Sequence, residues 1–373
     1  MKKGYKEEGI TLVSLIITII ILLILVRVTL TLVIGENGLI TKTKQGASKY
    51  EEKADDEKEE LINFEQEIGR LLGDPKVPEG FKHIEGTVEE GYVIQDKSNG
   101  NEFVWVPVDV NDFKLSKWRG ETLSEDEHHE DKNNATYKAM YKSVIENGGF
   151  YVGRYELGIE GGTLTTADVK YGYWTGGQAV VKQNSEPYNY ISQKTAREVC
   201  RDLYPGQSYL IYGVQWDAIM KWLEKSEYDV VNDSSGWGNC LDSKFDFTGE
   251  YVDFTKFESD NSDISEVLNG KQLNWKKATK MSKSKGTAIL MKTGTGGERN
   301  KAKNIFDIGG NLGEWTQEKY GTSGVVHHGG IFRGNGTTYP AVGRYPSYSA
   351  GPNSGIGARA ALSIDLNSMD DLK

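Results

Sequence analysis

Asn304-Ile305-Phe306-Asp307-Ile308-Gly309-Gly310-Asn311-Leu312-Gly313-Glu314-Trp315 is the stretch on which the fold turns. Gly309-Gly310 permits a tight backbone turn with φ > 0. Asn311 and Glu314 then offer oxygen ligands three residues apart, next to free carbonyls. That is a calcium corner in outline, and a structural calcium is the one cofactor expected. The alternative is that Asn311 caps the loop and Glu314 pairs with an arginine. Trp315 reads as core.

Outward from this stretch, from His83 onward, short strands and two short helices lie in long, turn-rich connections. Residues 103–108 (FVWVPV) and 150–157 (FYVGRYEL) read as strands. Residues 192–203 and 214–223 read as helices, the first capped at Ser192 or Gln193. The second carries Val214, Ala218, Ile219, Trp222 and Leu223 at helical spacing. Among 373 residues there are 44 Gly, 20 Tyr and 8 Trp, the profile of a loop-rich domain rather than a helical bundle. The chain is long enough for a terminal helix plus one large domain with a full core.

Formal net charge is -10, from 44 basic and 54 acidic residues. That balance excludes a general nucleic-acid binder and polybasic attachment to anionic lipid. The only cysteines are Cys200 and Cys240, so no CxxC zinc site exists. One disulfide and two free thiols are both open. A buried thiol is the simpler reading of Cys200, which sits on a helix beside Ala196 and Val199.

At the other end, residues 10–26 are apolar apart from Thr11, Ser14 and Thr18. Arg27 interrupts the run and residues 28–34 continue it, so with Arg27 snorkelling the whole of 10–34 serves as a transmembrane helix. Lys2, Lys3 and Lys6 precede it, which places the N-terminus in the cytoplasm and the rest outside. Residues 48–72 read as a helical stalk with Ala54, Leu61, Phe64, Ile68 and Leu71 on heptad a and d positions. Self-association through the stalk and packing on its own domain are the two readings. Gly73-Asp74-Pro75 and Pro78-Glu79-Gly80 mark the domain boundary.

Two resemblances bear on these pieces. Glu8-Gly9-Ile10-Thr11-Leu12-Val13 resembles the type IV prepilin signature, which implies cleavage between Gly9 and Ile10 with the helix retained. Ser14 departs from it, where pilins carry a Glu that pairs with a neighbouring subunit. An uncleaved signal anchor is the other reading. The opening stretch is similar to the "N-x-x-D-M-x-G-N-x-x-E-W" segment of the formylglycine-generating enzyme superfamily. Residues 150–156 resemble its "F-x-M-G-x-x-E" strand, Gly329-Gly330-Ile331-Phe332 its "R-G-G-S-W", Arg344 the Arg downstream, and Gly357-Ala358-Arg359 its terminal "G-F-R". Together these cover about 220 residues of the chain. The resemblance implies an α+β domain with the C-type-lectin-like fold in its sulfatase-modifying variety.

The same resemblance argues against catalysis. The copper-binding cysteines of the aerobic enzymes fall here on Gly334 and Tyr339, and neither is a thiolate. The iron-dependent relatives need three histidines. His83 stands alone, His128-His129 lies in an acidic run read as a solvated loop, and His327-His328 are neighbours that a strand points to opposite faces. No GxSxG or phosphate loop is present. No residue is therefore given a catalytic role. What remains is 332–354, rich in Tyr, Ser, Asn, Gly and Arg, the residues of adaptable paratopes. Arg333, Asn335, Thr337, Thr338, Tyr339, Arg344, Tyr345, Tyr348 and Asn353 are the expected ligand-binding residues. The composition also resembles targets of diversity-generating retroelements.

The whole reads as a leader (1–9), a membrane helix (10–34), a stalk (35–75) and a domain (76–373). The domain is expected to recognise a protein or glycan outside the cell and to bind no nucleic acid. An enzyme of the same superfamily with other chemistry, and a minor pilin, are the alternatives.

Overall fold

The computed structural model describes residues 17–24 and 73–364, apart from 120–123, 125–126, 169–170, 227 and 257–266. The chain divides into the units Met1–Leu61 and Ile62–Lys373. In the first, residues 17–24 are helical and exposed. Among the described residues no helix is long and apolar enough to cross a membrane. Gly9, Ile10, most of 10–34 and the stalk helix at 48–72 lie outside them. The rest concerns the second unit.

The strands that matter to the site are β1 (Phe81–Glu85), β2 (Val93–Asp96), β3 (Glu102–Pro107), β4 (His128–His129), β5 (Gly149–Gly153) and β6 (Ser208–Leu210). They are followed by β7 (Gly313–Tyr320), β8 (Gly324–His328), β9 (Arg344–Ser347), β10 (Ile356–Ala358) and β11 (Ala360–Leu362). The helices are α1 (Ala135–Asn147), α2 (Gln193–Leu203) and α3 (Gly213–Glu224). The fold is α+β.

Strand β3 is buried at Phe103, Val104, Trp105 and Val106, because apolar side chains leave neither face for water. It lies inside a six-stranded sheet in the order β1-β2-β3-β5-β11-β6. Side chains alternate between faces. Val104, Val106 and Val152 pack with Met140 of α1 and Trp216 and Ile219 of α3. Phe103, Trp105 and Tyr151 pack on the other side with Cys200 and Trp315. Both Cys200 and Cys240 are buried and free.

The strand expected over 150–157 stops at Gly153. Arg154 turns aside to bond Glu85 (2.7 Å) and Glu102 (2.9 Å), and Leu157 N donates to Ala358 O at 2.8 Å. Helix α1 was not legible as such. It buries Tyr137, Met140, Ser143 and Val144, and its signals are local ones: Asn134 Oδ1 accepts from Thr136 N and Tyr137 N, and Gly148 ends it at φ 70°.

The second sheet runs β9-β8-β7-β10, with β4 also pairing β7. His128–His129 is thus strand set against Lys319–Tyr320, and both histidines are half-buried rather than part of a solvated loop. An acidic local sequence hid a pairing made by residues far along the chain.

Candidate functional site

The opening stretch runs from a tight turn into β7. Its glycines serve close approach, not positive φ. A Cβ on Gly310 would meet Asn239 O at 2.6 Å, and one on Gly309 the Trp237 ring at 2.7 Å. The left-handed positions are Asp307 (φ 61°) and Asn311 (φ 63°).

Asn311 Oδ1 accepts from Asn239 Nδ2 and Met291 N, each at 3.0 Å. Its Nδ2 donates to Met291 O (3.1 Å) and to Glu156 Oε1. Glu314 receives Arg359 with both oxygens, Nη2 to Oε1 at 2.6 Å and Nε to Oε2 at 2.9 Å. The residues expected as calcium ligands therefore spend their oxygens on protein partners. Arg359 also donates to Gly153 O (2.8 Å) and Phe306 O (2.9 Å), so one buried guanidinium ties β11's neighbour to β5 and to the turn. Removing either partner of such a buried pair would leave the other charge uncompensated. Beside it, burial and the neighbouring carboxyls Asp307 and Glu314 push Glu156 well above the usual range. Burial raises Asp307 to about 6. Both keep protons that an ordinary carboxyl would release, as expected of three buried acids facing one arginine.

A second buried frame lies where β4, β7, β8 and α3 meet. Arg344 donates to Glu318 Oε1 (2.8 Å) and Asp217 Oδ2 (2.7 Å). Glu318 is also bonded to His128 Nδ1 (2.7 Å) and His328 Nε2 (3.0 Å). Burial opposes the charge of Glu318, but the bonds from the two histidines and the charge of Arg344 hold it far below the usual range. Trp118 Nε1 closes the frame on Asp217 at 2.8 Å. Arg344 is thus a corner post of the scaffold and not an open ligand contact, since its side chain is buried. One histidine from each adjacent pair reaches Glu318, as alternation along a strand requires. Among the described residues no group of three or more His, Cys, Asp or Glu side chains could hold a metal ion.

Over these frames the rest of the expected binding segment is laid out unevenly. Asn335, Thr337, Thr338 and Tyr348 are exposed, the last at 71%, while Arg333, Tyr339, Tyr345 and Asn353 are half-buried. Arg333 Nη2 donates to Asn353 Oδ1 at 2.9 Å, and Tyr345 Oη to Thr338 O at 3.2 Å. The backbone is pinned by Gly336 N donating to Asp242 Oδ1 (2.8 Å) and by Thr338 N and Tyr339 N turning back on Asn335 O. A Cβ on Gly336 would meet Ser235 N at 2.3 Å. Phe332 is fully buried, and so is Trp315, as read from the sequence.

Rings line the face in two rows. Tyr339, Tyr345 and His327 follow one another at centroid spacings of 5.1 and 5.3 Å, with the buried Trp315 ring behind His327 at 5.5 Å. Tyr348, Tyr320 and His128 follow at 5.7 and 4.8 Å. Tyr320 and His327 were not expected there. Strands β7 and β8 bring them, and only the pairing register shows it. This face can grip a ligand by ring contact and by short polar groups.

No protein-family model and no curated protein matches the sequence. Among solved structures, that of PvdO from Pseudomonas aeruginosa is similar at 12% identity and a TM-score of 0.37, over 73% of this chain and 98% of that one. Treponema denticola variable protein 1 is similar at 10% identity and a TM-score of 0.26, over 58% of this chain and 96% of that one.

Proposed function

We propose that the chain is a recognition module, tethered in a membrane by 10–34, whose domain (76–373) offers the segment 333–353 to a protein or glycan outside the cell. The domain is of the C-type-lectin-like, sulfatase-modifying type by its motifs. It binds rather than catalyses, with Gly334 and Tyr339 standing where the family's thiolates would be. One observation carries the reading. Within a single segment, Phe332 and Arg344 are locked into the interior while Asn335, Thr337, Thr338 and Tyr348 face solvent on a pinned backbone. Side chains on such a loop can change with little cost to folding, which also suits diversification by a retroelement.

The test replaces Tyr339, Tyr345 and Tyr348 together by Ala. Truncating aromatic hot spots typically costs about 2 kcal/mol or more in binding. Surface changes away from the core alter stability by about 0.5 kcal/mol or less each. The expected result is an unchanged melting temperature and lost retention on a ligand found by glycan array or pull-down. A variant that unfolds would make these tyrosines core and end the reading. Diversification has its own test: a near-copy of the codons for 331–357 downstream of the gene, differing only at adenines.

A further inference from the structure

A large cavity lies away from the segment just described, between α1, the Phe113–Lys117 loop and β4. It is a groove of about 1150 Å³. Small-molecule pockets typically hold about 300–1,000 Å³, so this one has room for more than a single small ligand. Among the described residues Lys114, Lys117, Lys132, Lys138 and Lys142 line it, and Glu130 is the one acidic residue that does. Five ammonium groups gathered in a chain of net charge -10 are a concentrated positive field. Lys114 and Lys142 have weak surface partners, Asp112 at 3.3 Å and Glu146 at 3.8 Å. Lys117, Lys132 and Lys138 have no carboxylate partner among the described residues.

The floor is aromatic. Phe113 meets Tyr141 at 5.4 Å and Tyr141 meets Tyr137 at 6.0 Å, with Tyr141 exposed. The end wall holds an unfinished polar group. Glu130 is 5% exposed, its Oε1 accepts from Val214 N at 3.0 Å, and its Oε2 has no partner. Burial, with the nearby Glu318 and Asp217, drives Glu130 far above the usual carboxyl range, so it keeps its proton. A neutral carboxyl with a free oxygen is a donor seeking an acceptor. His129 Nδ1, also buried and without a partner, adds a second waiting atom at the same wall.

Among the described residues no arginine lines the groove. A guanidinium fork fits one planar carboxylate or phosphate, whereas lysines act as separate point charges. Charges spread along a groove over ring faces suit a ligand with repeated negative charge and apolar ring faces of its own. From this geometry we infer that the groove between α1 and β4 binds an acidic oligosaccharide, its carboxylates set against Lys117, Lys132 and Lys138 and a sugar ring against Tyr141. A polynucleotide fits less well, because its length would bring it against the chain's overall negative charge.

The test uses the full chain in mild detergent and a fluorescent galacturonic acid hexamer at low salt. The wild type should bind it and should not bind a neutral glucose hexamer. Changing Lys117, Lys132 and Lys138 together to Ala should weaken binding by about tenfold, since each exposed charge pair contributes a fraction of that. Tyr141→Ala should weaken it as well, while melting temperatures stay put. The Tyr339, Tyr345 and Tyr348 triple variant should bind the hexamer as the wild type does, which separates this groove from the proposed recognition face. No binding by the wild type, or undiminished binding by the lysine variant, overturns the inference. So does equal or tighter binding of poly-glutamate or oligo-dT, which would make the site a peptide or nucleic-acid groove.

Discussion

Replacing Arg359 by Met removes the one cation among Glu314, Glu156 and Asp307 while keeping most of the side-chain volume. Glu314 then loses both of its charge-assisted bonds, and Gly153 O and Phe306 O each lose a donor. Breaking a buried pair by deleting one partner costs about 3–5 kcal/mol. Each carbonyl left short adds about 1 kcal/mol or more. The sum is close to the whole stability of an ordinary domain, about 5–15 kcal/mol. The orphaned carboxyl can recover part of the loss by taking up a proton, so the damage should be greater at pH 8 than at pH 5. Urea unfolding of the full chain in mild detergent, followed by the fluorescence of buried Trp315 and Trp216, measures both. Adding Glu314→Leu to Arg359→Met should restore part of the stability, because an apolar pair replaces a lone charge. A loss below about 1 kcal/mol at pH 8 would refute the view that this pair frames the turn, measured against the usual cost of breaking one.

The wild type should itself be pH-dependent. Asp307, raised to about 6, and Glu156, raised well above the usual carboxyl range, hold protons in the folded state that the unfolded chain releases. Stability from them is full below the unfolded carboxyl range and falls as pH rises through about 6, on the order of 2 kcal/mol. Glu318, depressed by its partners, works the other way and loses its contribution as pH falls below about 4. Melting temperature should thus peak in mild acid, and Asp307→Asn should flatten the limb above it; a flat wild-type profile would count against both frames. The protein should sediment with membranes, and protease outside intact cells should release the domain after residue 75; full-length chain in the cytosolic fraction would contradict the anchor. N-terminal sequencing of the membrane form should begin at Ile10 if the leader is processed and at Met1 if it is not. A sulfatase-type peptide should show no conversion of cysteine to formylglycine, with or without copper, since Gly334 and Tyr339 cannot bind it.

What could be read from the sequence depended on how local the cause was. Helix α2 was legible because Ser192 caps it, and α3 because Val214, Ile219, Trp222 and Leu223 recur at helical spacing. Strand β3 was legible from a run with no polar face. Helix α1 was missed because its buried side is built from Tyr137, Met140, Ser143 and Val144, a face too mixed to stand out beside its lysines. The motif residues Asn311, Glu314, Arg344 and Arg359 stand out in the sequence and are all buried in the structure, but their chemistry was not legible. A carboxylate that binds calcium and one that binds an arginine look the same in a sequence. The partner of Glu314 lies on the far side of the binding segment, and that of Arg344, Asp217, on helix α3.

Strand β11, near the end of the chain, does not sit at an edge. It enters between β5 and β6 and is hydrogen-bonded to both. The six-stranded sheet is therefore a structure whose keystone is synthesised after its other five strands. Until residues 360–362 have left the ribosome, β6 has no neighbour in that sheet and β5 has only β3. Contacts so far apart in the chain form late and carry the full loop-closure cost first. A chain cut short by a stop codon anywhere in 333–353 thus lacks more than its binding segment. It keeps exposed strand edges and unburied apolar faces, the marks by which quality-control proteases select their substrates.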